Sequence, residues 1–321
     1  MTVDLLFALL GLVILLLAGD SLVKGAVNLS LRMGIPALIV SLTIVAFGTS
    51  APELLIAIKA VLDNAPGIAM GNVVGSNTAN ILLVLGVPAL ISGMETKNCD
   101  TRRTYMVMIA SSVLFIILCF LGPLTWIHGL VLLGVLSLVL GDAFRSAQQH
   151  RRADASAAAD LEEELEGVEP GMPGWKIAMY LILGLIGLPM GADFLVDSSV
   201  SIARVIGVSE TVIGLTLVAV GTSLPELATT VMAAIRKQTD VALGNVIGSN
   251  MFNLLAIIGV TSLVGTVPVP AEMLSFDLWV MLGASILLAP FVFRGWPLRT
   301  GWGLVFSVLY AAYVIVVLVY G

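Results

Sequence analysis

Gly48-Thr-Ser-Ala-Pro-Glu53-Leu and Gly221-Thr-Ser-Leu-Pro-Glu226-Leu are one heptapeptide written twice, with a single substitution, 173 positions apart. The same offset lays Gly71-Asn-Val-Val-Gly-Ser-Asn-Thr-Ala-Asn80 on Gly244-Asn-Val-Ile-Gly-Ser-Asn-Met-Phe-Asn253. From Ala18 to Leu90 the match needs no gap, and 28 of 73 positions are identical. Many of the identities are polar residues or Gly inside apolar surroundings, so shared hydrophobicity does not account for them. Each copy sets one Glu within a run that is otherwise suited to lipid.

Around these repeats the chain is strongly apolar, with a mean hydropathy of +1.07, 59% hydrophobic residues and 11% charged. Soluble proteins carry roughly a quarter charged residues, so this is an integral membrane protein. Apolar runs long enough to cross a hydrocarbon core as helices lie at 3–31, 36–62, 68–92, 103–121, 124–143, 174–204, 209–235, 241–264, 273–292 and 299–320. They are continuous rather than alternating, which favours helices over barrel strands. The expected fold is all-α with ten transmembrane helices. The first run carries Asp4 and has no basic n-region, so it reads as a retained span rather than a signal peptide.

Basic residues orient the spans. With the N-terminus outside, all 15 Lys and Arg except Lys59 and Arg204 fall at cytoplasmic ends, as the positive-inside rule requires. Both termini are then expected outside a plasma (inner) membrane. The chain divides into a first half, 1–143, holding repeat one at about 18–90, and a second half, 174–321, holding repeat two at about 191–263. Between them a polar segment, 144–173, reads as a cytoplasmic linker, part of it helical, in which Glu162-Glu-Glu164 is a solvated charge run without calcium-loop spacing. Five spans separate equivalent positions, so the copies cross the membrane in opposite directions. Such inverted repeats hold transported substrates near the midplane.

A midplane carboxylate costs at least about 2.5 kcal/mol to insert, and packing does not require one, so Glu53 and Glu226 read as functional. Pro52 and Pro225 precede them and disturb the helical hydrogen bonding, which points to backbone carbonyls, including those of Ala46 and Ala219, as oxygen ligands. Thr49, Ser50, Thr222 and Ser223 place hydroxyls within a turn of each Glu. On the following spans Ser76 shares a helix face with Asn80, and Ser249 with Asn253. Asn72, Asn77, Asn245 and Asn250 add amides; Asn72 and Asn245 equally suit a role in bracing the bend. Gly71, Gly75, Gly244 and Gly248 form two G-x-x-x-G steps suited to close helix approach. For any single Ser, Thr or Gly here, packing is an equal reading. Taken together the set is all oxygen, without His or Cys, which suits the hard cations Ca²⁺ and Na⁺ and not Zn²⁺ or Cu⁺.

Both motifs, each present twice, resemble the alpha-repeats of the sodium/calcium exchanger family within the cation/calcium exchanger superfamily. The resemblance implies a core of the second, third, seventh and eighth helices, with the long first and sixth helices sliding across it. It implies that Glu53 and Glu226 ligate Ca²⁺ and also serve Na⁺, with the Ala46 and Ala219 carbonyls, Thr49, Ser50, Ser76, Thr222, Ser223 and Ser249 completing the ion positions. Proton-coupled relatives tend to carry Glu where this chain has Ser76 and Ser249, so the serines favour Na⁺ coupling. Several sodium-type members carry Asp where this chain has Asn253; here Asn80 and Asn253 leave two acidic ligands. The implied activity is Na⁺/Ca²⁺ antiport by alternating access, with H⁺/Ca²⁺ and K⁺-dependent cation/Ca²⁺ exchange as alternatives.

Other classes fit less well. A channel would need symmetric subunits around a pore. An enzyme is not expected, because the chain has no H-E-x-x-H, no nucleotide loop and no midplane His or Cys. Cys99 and Cys119 read as reduced structural thiols, and His128 and His150 as surface or interface residues. The expected partners are the transported ions and the lipid bilayer, with no resident cofactor, no nucleic acid and no required oligomer.

Overall fold

The computed structural model describes residues 2–97, 99–153, 169, 171–207 and 219–320. The Glu162–Glu164 run and Thr216 lie outside these residues, as do the side chains of His150, Arg151, Arg152 and Ala219. The described chain is all-α: α1 Thr2–Met33, α2 Ala37–Thr49, α3 Ala51–Leu62, α4 Pro66–Ile91, α5 Arg102–Phe120, α6 Trp126–Ala153, α7 Gly174–Val205, α8 Leu224–Ile235, α9 Thr239–Val264, α10 Met273–Arg294 and α11 Thr300–Tyr320. Eight of them are long and apolar enough to cross a membrane, and α2 with α3, bent by 41°, makes a ninth. α8 is shorter; residues 209–218 of the expected span 209–235 lie outside the description.

Two boundaries differ from expectation for physical reasons. α6 does not stop where its apolar run ends at 143 but continues through Ala153, because the Ala, Gln and Arg that follow are good helix formers whose polar heads belong in water. Nor does the second span kink around Pro52 as one continuous helix. Ser50 leaves helical geometry (φ −86°, ψ 4°), and Pro52 sits in the first turn of a new helix, where its missing N–H is no loss. Pro225 opens α8 in the same way after Ser223 (φ −88°, ψ 3°).

α1 and α7 form the largest helix pair. Their axes come together through Gly: a Cβ on Gly11 would lie 2.6 Å from the Leu195 nitrogen and 2.7 Å from the Gly191 oxygen, and one on Gly184 would lie 2.6 Å from the Leu22 Cβ. Residue 11 therefore meets 191–195 while residue 22 meets 184, so the two helices run antiparallel. A second reciprocity lies at the helix ends. Met94 pairs with Leu298, and Leu124 with Val267, in two isolated β-bridges. Val267 is the repeat mate of Met94, and Leu298 lies one residue from the mate of Leu124.

One seam breaks this symmetry. α1 lies along α8, where a Cβ on Gly19 would touch the Ala228 carbonyl at 3.0 Å, and Asp20 bridges Arg236 and, at 3.3 Å, Lys24. α7 makes no comparable packing along α3. Accordingly Ala228 is 7% exposed, whereas its mate Leu55 is 69% exposed. The charges differ as well: the mates of Asp20, Lys24 and Arg236 are Asp193, Asp197 and Asp63, which cannot form the same bridge.

Candidate cation site

The breaks at Ser50 and Ser223 turn α3 and α8 so that each begins at the site, with Glu53 and Glu226 as the third residue of its helix. At a helix N-terminus the backbone dipole is positive, which favours a carboxylate there. Both glutamates are 1% exposed, and each lies within Coulombic reach of the other. Ser50 Oγ donates to Glu226 Oε1 at 3.2 Å, joining the two repeats directly.

α4 and α9 supply the remaining walls. Thr49 Oγ1 donates to Asn245 Oδ1 at 3.4 Å, and Thr222 Oγ1 to Asn72 Oδ1 at 3.3 Å. These are the same bond drawn from opposite repeats, since Thr222 is the mate of Thr49 and Asn72 the mate of Asn245. Asn80 Nδ2 donates to Asn250 Oδ1 at 3.0 Å, and Asn250 Nδ2 to the Asn77 carbonyl at 3.3 Å. Immediately after Asn80 and Asn253 both helices lose α regularity. Val84 N–H reaches back five residues to the Ala79 carbonyl, and Asn253–Ile257 forms a π-helical turn. Such widened turns recur at functional sites.

The interior of this cage is rich in buried oxygens without a hydrogen-bond partner: both oxygens of Glu53, Glu226 Oε2, the hydroxyls of Ser76, Ser223 and Ser249, and the amide oxygens of Asn77, Asn80 and Asn253. Buried polar atoms are nearly always paired, and an unpaired one costs about 1–3 kcal/mol. Carboxylates and neutral hydroxyl and amide oxygens are the donor types that a hard cation takes. Among the described residues no three His, Cys, Asp or Glu side chains converge, so the charge here comes from the two glutamates and the other oxygens are neutral.

One expectation is corrected here. The Ala46 carbonyl is not freed by Pro52: it accepts the ordinary helical bond from Ser50 N–H at 3.0 Å. In the second repeat Ser223 N–H donates to the Val220 carbonyl at 3.0 Å. The second G-x-x-x-G step makes the expected close approach. Cβ atoms on Gly244 and Gly248 would lie 2.9 Å from the Leu38 oxygen and 2.6 Å from the Leu42 oxygen, a true close approach, whereas Gly71 and Gly75 have no described atom within 4 Å. The segment that symmetry would set against them, 211–215, lies outside the described residues. His128 takes the Thr125 N–H at 3.0 Å at the start of α6, a local helix-start contact. Thr230, which accepts from Asn245, stands outside the repeat identities, because its mate is Ala57.

An all-α membrane protein whose two repeats close around paired buried glutamates and neutral oxygens is built as a cation transporter. The chain belongs to the sodium/calcium exchanger family: the family "Sodium/calcium exchanger protein" matches residues 3–141 and 176–319. It is 36% identical over 290 residues to a putative antiporter, CaxA, of Alkalimonas amylolytica, covering 90% of this chain and 89% of that one. It is 35% identical to the sodium/calcium exchanger MaX1 of Methanosarcina acetivorans, covering 98% of each. Among solved structures it resembles the sodium-calcium exchanger NCX_Mj soaked with Na⁺ and Sr²⁺, with a TM-score of 0.82, 31% identity, and coverage of 98% of this chain and 99% of that one.

Proposed function

We propose that this chain is a secondary antiporter that exchanges Na⁺ for Ca²⁺ across the plasma membrane by alternating access, the two ions competing for overlapping positions around Glu53 and Glu226. The observation that carries this reading is the pair of 1%-exposed carboxylates, one from each repeat, among unpartnered oxygens. An empty cage of that kind is costly, and a bound cation satisfies it. Coupling follows from competition: if the barrier moves only when the cage is filled, neither ion leaks.

The ten-span, inverted plan is supported by the antiparallel α1 and α7 and by the reciprocal Thr–Asn bonds and β-bridges. The orientation with both termini outside is supported by the charge map. At the end assigned to the cytoplasm, Arg32 Nη1 donates to the Met172 carbonyl at 3.3 Å, Arg102 Nη2 to the Phe293 carbonyl at 3.1 Å, and Arg103 pairs with Asp142 at 2.5 Å. In this reading the Asp20–Arg236 seam closes the cytoplasmic side and the bare face of α3 lines the outer one. Two carboxylates balance one Ca²⁺ or two Na⁺, so we assign charge-balanced exchange, with Asn253 as the neutral group that sets it. Ca²⁺ flux into proteoliposomes under separately imposed Na⁺, K⁺ and H⁺ gradients tests the assignment: uptake follows Na⁺, and uptake driven by a pH gradient alone would assign proton coupling instead.

A further inference from the structure

Glu53 and Glu226 match in sequence but not in what holds them. On the second repeat, Asn245 Nδ2 donates to the Glu226 carbonyl at 3.3 Å and to Thr230 Oγ1 at 3.1 Å, while its Oδ1 accepts from Thr49. Thr229 Oγ1, one residue away, donates to the Pro225 carbonyl at 2.8 Å. The first turn of α8 is therefore tied to α9 and back onto itself. In the first repeat the equivalents of Thr229 and Thr230 are Ile56 and Ala57, neither of which can hydrogen-bond. Asn72 keeps the bond from Thr222, but its Nδ2 is buried without a partner. The carboxylates follow the same division: Glu226 accepts from Ser50, whereas both oxygens of Glu53 and the hydroxyl of Ser223, the mate of Ser50, have no partner.

We infer that Thr230 is a positioning residue: acting through Asn245, it fixes the first turn of α8, so that Glu226 is a pre-set ligand while Glu53 is the adaptable carboxylate that reorients around whichever cation is loaded. This rests on the proposed exchange function for its transport consequences, though not for the brace itself. Pre-organisation lowers the cost of binding. A site with one fixed and one adaptable carboxylate can hold a divalent ion at both and still rearrange for monovalent ions.

Thr230→Val removes the hydroxyl at nearly constant volume and leaves the Asn245 amide short of an acceptor, and Thr230→Ser restores the hydroxyl. In Na⁺-loaded proteoliposomes the Val variant should raise the Ca²⁺ concentration at half-maximal uptake about tenfold, the effect of leaving one buried donor unpaired. Its maximal rate should stay within about twofold of wild type, and Ser should return half-saturation to the wild-type value. In the ion-free protein, amide hydrogen exchange over residues 224–235 should speed up in the Val variant while that over 51–62 stays unchanged. An unchanged half-saturation, a fall in maximal rate alone, or failure of Ser to rescue would overturn the positioning role. Wild-type protein that takes up no Ca²⁺ would sink the exchange reading alone, and the hydrogen-exchange comparison would then decide the brace: equal exchange in Val and wild type refutes it.

Discussion

Replacing Arg236 with Gln should loosen the seam between α1 and α8. Asp20 and Arg236 are 20% and 18% exposed at their side chains, and Lys24 stands 3.3 Å from the same carboxylate. Breaking a fully buried pair costs about 3–5 kcal/mol, and an exposed one about 0–1. A pair about one-fifth exposed, with a second cation left in place, falls between, at about 1–2 kcal/mol, or roughly a 5–30-fold shift in an equilibrium. Ala228 reports on it, because it is buried under Gly19 and only 7% exposed. With Cys99 and Cys119 replaced by Ala, an Ala228→Cys probe should react with a maleimide roughly 5–30 times faster in Arg236→Gln than with Arg236 intact. Adding Asp20→Asn should slow the reaction again, since the seam then no longer holds a carboxylate that has lost its Arg236 partner. Equal labelling rates with and without Arg236, or a double variant that labels faster still, would refute the reasoning.

Gly248→Ala should lower thermal stability by about 1–3 kcal/mol, because the new Cβ would lie 2.6 Å from the Leu42 backbone oxygen; a melting curve in detergent checks it. Gly11→Ala should behave alike by separating α1 from α7. Asn253→Asp adds a third carboxylate to the cage. Wild-type uptake should not respond to a valinomycin-set potential, and the variant should gain voltage dependence, one net charge per cycle contributing about 2.3 kcal/mol per 100 mV. Burial, reinforced by the neighbouring Asp240 carboxylate, pushes the Cys99 thiol well above its ordinary pKa. Since the thiolate is the reactive form, Cys99 should react with maleimide at pH 8 far more slowly than a free thiol, and fast modification would contradict that placement.

Much of this was legible in the sequence because lipid imposes a simple rule: long apolar runs become helices, and a carboxylate among them must have a purpose. Ser50 meets Glu226 across the repeats, Thr49 meets Asn245, Thr222 meets Asn72 and Asn80 meets Asn250, all pairs drawn from the repeated motifs. Repetition also set the limit of that reading, because it selects what the two halves share. Thr230 and the Asp20–Arg236 bridge sit at positions where the halves differ, with Ala57, Asp193 and Asp63 as mates, and only three-dimensional proximity shows what they touch. The helical bond that the Ala46 carbonyl keeps from Ser50 was likewise hidden, since Pro52 reads as a disruption within a helix until the break at Ser50 makes it the start of a new one.

The central claim is that one carboxylate from each repeat carries the exchanged ions. Ca²⁺ uptake into Na⁺-loaded proteoliposomes, measured for wild type, Glu53→Gln and Glu226→Gln at matched protein density, tests it most directly. Wild-type protein should accumulate Ca²⁺ only when an outward Na⁺ gradient is present, and each substitution should abolish that accumulation while the protein stays folded. Gradient-driven uptake at the wild-type rate in both variants would contradict the account.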